Sequence, residues 1–252
     1  RHTRSFHVTG VQTCALPIWL KPGVAFPALE SAMQMPNGLL AAGGDLTART
    51  LLNAYSQGIF PWYSEDQPIL WWSPDPRMVL FPAELRVTRS LAKRLRNRPF
   101  EVRFDSVFRT VIEACAEPRP GQPGTWISPA MIEAYCELHR LGHAHSAETW
   151  IDGSLAGGLY GVSIGRAFFG ESMFTRVRDG SKIAFVHLVR RLEAAGVGLI
   201  DCQMHTSHLA SLGAREIPRR EFSARLQELV HFPGDPRIWL NHGGLAPSES
   251  PD

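Results

Sequence analysis

His145-Ser146-Ala147-Glu148-Thr149-Trp150-Ile151, then Asp152-Gly153, then Ser154-Leu155-Ala156-Gly157-Gly158-Leu159-Tyr160-Gly161-Val162-Ser163-Ile164, then Ala167-Phe168-Phe169-Gly170-Glu171-Ser172-Met173-Phe174 read as three strands of a meander. Asp152-Gly153 is the kind of dipeptide that closes a tight hairpin. Downstream, Ser181 to Ala195 carries helical periodicity and stops at Gly196, and Leu199-Ile200-Asp201-Cys202-Gln203 is a short apolar strand. A meander, a helix and one more strand predict an α+β sheet, not a Rossmann array.

The glycines of this stretch, Gly157, Gly158, Gly161 and Gly165, are not followed by G-K-[ST], so they do not read as a phosphate loop. Inside strands, glycine marks a bulge or a close approach. Around them stand Leu159, Phe168, Phe169, Met173 and Phe174, with Phe185 and Leu188 on the helix. These residues form either plain core or an apolar cradle in which the glycines leave room for a Leu- or Phe-sized side chain.

Asp201 and Gln203 lie two apart in an apolar strand, so alternation places them on one face. Buried polar groups of this kind cost several kcal/mol unless hydrogen-bonded. The pair is therefore a structural polar network or a carboxylate orienting a carboxamide against a reacting group. Gly170-Glu171-Ser172-Met173-Phe174 has Phe where a nucleophile elbow needs its last Gly, which argues against a serine nucleophile. His143 with His145, and His205 with His208 near Asp201, lack an H-E-x-x-H pattern and any Cys cluster. They read as hydrogen-bonded or surface histidines, and no metal is expected.

The 252 residues suffice for one large domain or two unequal ones. With 44% apolar and 20% charged residues the balance is globular, and a net charge of +2 excludes a polybasic chain. Charge is nevertheless concentrated: Arg86, Arg89, Lys93, Arg94, Arg96, Arg98 and Arg103 face a single acid, Glu101. That run is a solvated helix face or a phosphate-binding surface. Cys14, Cys115, Cys136 and Cys202 show no C-x-x-C spacing and are expected as thiols in a reducing compartment. No apolar run is long enough for a membrane helix.

Patterning begins near Phe26-Pro27. The segment before Trp19 has a short apolar stretch broken by Pro17, and residues 1–22 are set aside as a foreign or disordered leader. Pro36-Asn37-Gly38 and Ala42-Gly43-Gly44-Asp45 read as turns, and Thr47 to Gln57 as a short helix stopped by Gly58. An aromatic, proline-cut block follows, so residues 23–76 are expected as a small N-terminal domain and 77–252 as the larger one. Further helices are expected over Thr88 to Arg98, Ser106 to Ala116, Ser128 to Leu141 and from about Pro218 to Val230, with strands at Met78 to Phe81 and Phe100 to Phe104.

Several blocks occur in a fixed order: Pro36-Asn37-Gly38-Leu39-Leu40-Ala41-Ala42-Gly43-Gly44-Asp45, Gly58-Ile59-Phe60-Pro61-Trp62, Trp71-Trp72-Ser73-Pro74-Asp75-Pro76-Arg77, Gly124-Thr125-Trp126-Ile127, Gly142-His143-Ala144-His145-Ser146, Phe169-Gly170-Glu171-Ser172-Met173-Phe174, Leu199-Ile200-Asp201-Cys202-Gln203, and Ser211-Leu212-Gly213-Ala214 with Ile217-Pro218-Arg219-Arg220. Together, from about Phe26 to Phe232, they resemble the bacterial leucyl/phenylalanyl-tRNA–protein transferases. The resemblance implies a small N-terminal domain joined to an acetyltransferase-like domain. It implies transfer of Leu or Phe, and Met less well, from aminoacyl-tRNA to proteins beginning with Arg or Lys, which creates an N-degron. An aminoacyl ester is already activated, so no cofactor and no metal are expected. The family's catalytic pair falls on Asp201 and Gln203. Either Gln203 takes the amine proton, or the pair aligns the α-amine; a neutral carboxamide is a very weak base, which favours alignment. The side-chain pocket falls on Leu159, Phe168, Gly170, Met173, Leu188 and Ile200. Some members have Met at the position of Leu159 and Phe at that of Leu188. Trp62 and Trp126 match residues that hold the terminal adenosine. Arg89, Lys93, Arg94, Arg96 and Arg98 become candidates for the tRNA backbone, and Glu171 for the cationic terminus of the acceptor. A cytoplasmic monomer is expected. The rival readings are another tRNA-dependent acyltransferase of this fold, a non-catalytic tRNA-binding module, and a metal-dependent hydrolase using His205, His208 and Asp201.

Overall fold

The computed structural model describes residues 17–97, 99–118 and 125–241. In chain order its elements are β1 (Ile18–Leu20), β2 (Leu39–Gly43), α1 (Ala48–Ser56), β3 (Phe60–Pro61), β4 (Leu70–Trp72), β5 (Arg77–Leu80), α2 (Arg89–Asn97), β6 (Glu101–Phe104), α3 (Phe108–Ala116), α4 (Pro129–Arg140), β7 (Ala144–Ile151), β8 (Ser154–Ile164), β9 (Ala167–Thr175), α5 (Gly180–Ala194), β10 (Leu199–Gln203), α6 (Ser207–Ser211), β11 (Arg215–Ile217) and α7 (Arg219–Val230). Helix starts follow local chemistry. Thr47, Thr88 and Ser128 each accept an N–H of the first turn through the side-chain oxygen. Pro129 stands at the first position of α4, where no N–H is missed. The turn between β7 and β8 has positive φ at both Asp152 (50°) and Gly153 (72°), the geometry its sequence calls for.

The first four strands form a small sheet in the order β1-β2-β4-β3, and the rest a seven-stranded sheet in the order β11-β5-β10-β9-β8-β7-β6. In the large sheet β9 and β10 run parallel and every other neighbouring pair is antiparallel. The meander is β7-β8-β9, α5 is the crossover, and β10 returns beside β9. This is the α+β architecture expected. Two clusters of buried residues divide the apolar interior. One joins α3, α4, α7 and the small sheet through Ile112, Tyr135, Phe222 and Trp71. The other packs α5 against the large sheet through Phe185, Leu188, Phe168 and Ile200.

Three expectations change. Ile18–Leu20, set aside with the leader, pair in parallel with Ala41–Gly43; Leu20 is buried and the strand hydrogen-bonds join it to the sheet. Residues 1–16 of that leader, with Cys14, lie outside the described residues. The turn expected at Ala42-Gly43 starts later, because β2 runs through Gly43 before Gly43 and Gly44 take φ of 86° and 82°. Helix α6 and strand β11 were not foreseen; both are too short for a periodicity to show. Among the described residues no helix is long and apolar enough to cross a membrane.

Candidate active site

Two bulges build the site. Between β8 and β9, Tyr160 faces Ser172 and Gly161 faces Gly170, so Glu171 is the extra residue. Between β5 and β10, Val79 faces Asp201 and Met78 faces Gln203, so Cys202 is extra. Strands β9 and β10 pair as far as Phe169 and Asp201, just short of both bulges. Bulges bend strands and re-aim side chains. A cavity of about 950 Å³ opens here, lined on one side by Leu159, Phe168, Met173, Phe185 and Ile200, and elsewhere by Phe60, Trp62, Trp126 and Tyr160. Gly170, Glu171 and Gln203 line it at the bulges.

The bulge on β10 overturns the expected alternation. Asp201 is fully buried and meets Arg77, whose Nε and Nη2 donate to its two oxygens at 2.8 and 2.6 Å. The Arg77 guanidinium lies against the rings of Phe60 and Phe222, 4.8 and 4.6 Å from their centroids. Gln203 instead takes φ of 61°, a left-handed conformation uncommon outside glycine, and stays half-buried at the cavity. Its main-chain N–H donates to Asp201 Oδ1 at 2.9 Å, and its Nε2 donates to Glu171 Oε1 at 2.8 Å. Asp201 therefore fixes Gln203 by the backbone, while Glu171 fixes the carboxamide.

Glu171 also accepts from the Tyr55 hydroxyl on Oε1 (2.8 Å) and the Tyr135 hydroxyl on Oε2 (3.1 Å), and the two hydroxyls touch each other. Burial pushes the Glu171 carboxyl up to about 7, against the lowering effect of its three donors. Three contacts among two phenols and one carboxyl need three protons, one more than the phenols carry. A proton on Glu171 completes the set by letting one carboxyl oxygen donate to a phenol instead of accepting from it, in line with the raised pKa. Burial holds both phenols well above their ordinary range.

Of the residues expected at the site, Trp62, Trp126, Leu159, Phe168, Gly170, Glu171, Met173, Ile200 and Gln203 line the cavity. Asp201 and Leu188 do not: Asp201 sits behind with Arg77, and Leu188 is packed in the cluster under α5. The glycines expected to leave room mostly do not. A Cβ on Gly157 would lie 2.6 Å from the backbone at Gly180, and one on Gly161 would lie 2.2 Å from the Phe169 carbonyl and 2.5 Å from the Phe168 ring. These glycines admit a helix end and an aromatic ring; Gly170, whose Cβ would meet only Asp201 O at 3.5 Å, has space. On α2, Arg89, Lys93 and Arg96 are exposed, whereas Arg94 is half-buried with Nε 3.8 Å from Asp179. Arg98 lies outside the described residues. Lys182 also reaches Asp179, at 3.7 Å, and burial together with the Lys182 charge lowers the pKa of His208, which lines the cavity.

Among the described residues, Asp105, His139 and His145 gather closely enough to suggest a metal. Three of their four ring nitrogens already face oxygens: His145 Nδ1 is 2.7 Å from Asp105 and its Nε2 is 3.1 Å from Gly142 O, while His139 Nδ1 is 2.8 Å from Ala144 O. The set is arranged as a hydrogen-bond network. His205 is exposed. Sequence reasoning missed the roles of Arg77, Tyr55 and Tyr135. Arg77 had a signal, an arginine opening the apolar run Met78-Val79-Leu80, which demands a buried carboxylate.

The family model "Leucyl/phenylalanyl-tRNA protein transferase" matches residues 79–227, and that of its N-terminal domain matches residues 44–75. The chain belongs to this family, whose members are aminoacyltransferases. It is 65% identical over 224 residues to the leucyl/phenylalanyl-tRNA–protein transferase of Chromobacterium violaceum, covering 89% of this chain and 96% of that one. It is 64% identical over 214 residues to that of Nitrosospira multiformis, covering 85% and 92%. Among solved structures, a conserved protein of unknown function from Staphylococcus epidermidis is similar at a TM-score of 0.40 and 10% identity, covering 71% of this chain and 68% of that one. A GCN5-related N-acetyltransferase from Kribbella flavida is similar at a TM-score of 0.32 and 10% identity, covering 66% and 59%.

Proposed function

We propose that this chain transfers Leu or Phe, and Met less well, from aminoacyl-tRNA to the N-terminal Arg or Lys of proteins, forming a peptide bond and an N-degron. The observation that carries this is the cavity itself. Its lining brings the apolar side chains of Leu159, Phe168, Met173 and Ile200 together with the polar Gln203 and Glu171. Such a pocket selects an aliphatic or aromatic side chain and leaves the α-carbon substituents at the polar end. Trp62 and Trp126 offer aromatic faces for the terminal adenosine. Exposed Arg89, Lys93 and Arg96 on α2 offer a path for the tRNA backbone.

In the reaction the acceptor amine attacks the ester carbonyl, the new C–N bond forms, the C–O bond breaks, and the amine proton ends on the departing ribose hydroxyl. Binding both substrates in line supplies most of the rate. With its Nε2 committed to Glu171, the Gln203 carboxamide presents its oxygen to accept an amine N–H. Glu171 holds the Gln203 carboxamide toward the terminus of the acceptor. The enzyme acts as a cytoplasmic monomer.

The test gives purified protein labelled Phe-tRNA and two peptides, one beginning with Arg and one with Ala, with chelator present. Label is expected on the Arg peptide only. No transfer sinks the assignment, and tRNA binding without transfer favours a tRNA-binding module. Transfer that vanishes on chelation favours the metal reading.

A further inference from the structure

After α7 the chain returns across the large sheet. Asn241 pairs with the backbone of Phe104 in both directions, accepting from its N–H at 2.8 Å and donating to its carbonyl at 2.7 Å. Arg191 of α5 donates to the carbonyls of Leu240 and Arg237. A 3₁₀ turn, Pro236–Trp239, is capped by Asp235, which accepts from Arg237 N–H at 3.0 Å. This strap carries one large ring inward. Trp239 is buried, stacks on His145 at 3.8 Å with planes 4° apart, and lies 5.9 Å from the ring of Phe168. Trp239 lies beyond residues 79–227, the span matched by the family model.

Phe168 is the link to the cavity, which it lines. Gly161 approaches its ring so closely that a Cβ there would lie 2.5 Å from Cζ. The ring thus packs against Gly161 and Trp239. His145, held by Asp105 and Gly142, backs Trp239 in turn. We infer that Trp239 is a positioning residue for amino-acid specificity: through Phe168 it sets how deep the apolar cavity is. This rests on the reading that the cavity receives the transferred amino acid's side chain.

Trp239→Leu removes the flat face behind Phe168 and gives that ring room to retreat. A deeper cavity favours Phe over Leu. The expected result is a rise of about tenfold in the ratio of kcat/KM for Phe-tRNA to that for Leu-tRNA, the scale set by a methylene-sized change in an apolar pocket. The change is carried by KM, with kcat within about twofold. Trp239→Phe restores a ring and returns the ratio to within about twofold of wild type. A folded Trp239→Leu protein with the wild-type ratio overturns the inference. If Trp239→Leu does not fold, Asn241→Ala, which loosens the strap but keeps the indole, must shift the ratio in the same direction; an unchanged ratio overturns it. A second measurement needs no transfer. With 4-fluorophenylalanine at position 168, the fluorine resonance must move in Trp239→Leu, and a resonance that stays put overturns the inference. Wild-type protein that transfers neither amino acid sinks the proposed function, and the fluorine result still decides the packing.

Discussion

Arg77 and Asp201 are both buried, with side-chain exposures of 0% and 1%, and they bridge β5 to β10 beside the rings of Phe60 and Phe222. Removing one member of such a pair leaves an uncompensated buried charge, at a cost of about 3–5 kcal/mol. Asp201→Ala strands a guanidinium whose Nη1 has no hydrogen-bond partner among the described residues even now. It also deprives the Gln203 main-chain N–H of its acceptor. Arg77→Met strands the carboxylate. Each single variant is therefore expected to lose about 3–5 kcal/mol, which for a chain of this size lowers the Tm by roughly 6–20 °C. The double variant orphans neither charge. Its loss should fall short of the sum of the singles by about 3 kcal/mol or more. Urea denaturation followed by tryptophan fluorescence at pH 7 measures all four proteins. Transfer assays below the transition of the weakest variant separate stability from positioning. Turnover should stay down by orders of magnitude in Asp201→Ala and in the double variant, because neither holds the Gln203 backbone. Single losses below about 1 kcal/mol, or strictly additive losses, would refute the buried-pair reasoning.

Because burial raises the Glu171 carboxyl to about 7, folded protein keeps that proton at a pH where the unfolded chain has released it. This contribution is fully present below the ordinary carboxylate range and is lost as pH rises through about 7; it amounts to roughly 3 kcal/mol. Wild type should therefore lose stability relative to Glu171→Gln between about pH 5 and 8, and a flat difference between the two proteins contradicts it. Charge reversal at Lys93 and Arg96 should weaken tRNA binding and flatten its salt dependence; an unchanged slope moves the phosphate surface elsewhere. Gly161→Ala forces a Cβ against the Phe169 carbonyl and the Phe168 ring, and should cost about 1–3 kcal/mol in chemical denaturation, whereas Gly170→Ala, whose Cβ would make only an ordinary contact with Asp201 O, should cost less.

Much of this protein is written locally. The Asp152-Gly153 turn, the caps at Thr47, Thr88 and Ser128, and the β7-β8-β9 meander follow from residues within a few positions of one another. So does the apolar character of the cavity wall, because strand and helix periods depend on neighbours alone. Tertiary structure decided which of those residues face the cavity. Two extra residues, Glu171 and Cys202, break the alternation on adjacent strands, and period-two reasoning carries no sign of an extra residue. Asp201 consequently turns to Arg77, 124 positions away, and Gln203 to Glu171, which two tyrosines 80 positions apart also hold. Sequence alone marks Asp201 and Gln203 as polar groups in apolar company that need partners, and Glu171 only through the family resemblance. Only the folded chain supplies the partners, because such contacts depend on where distant strands and helices meet.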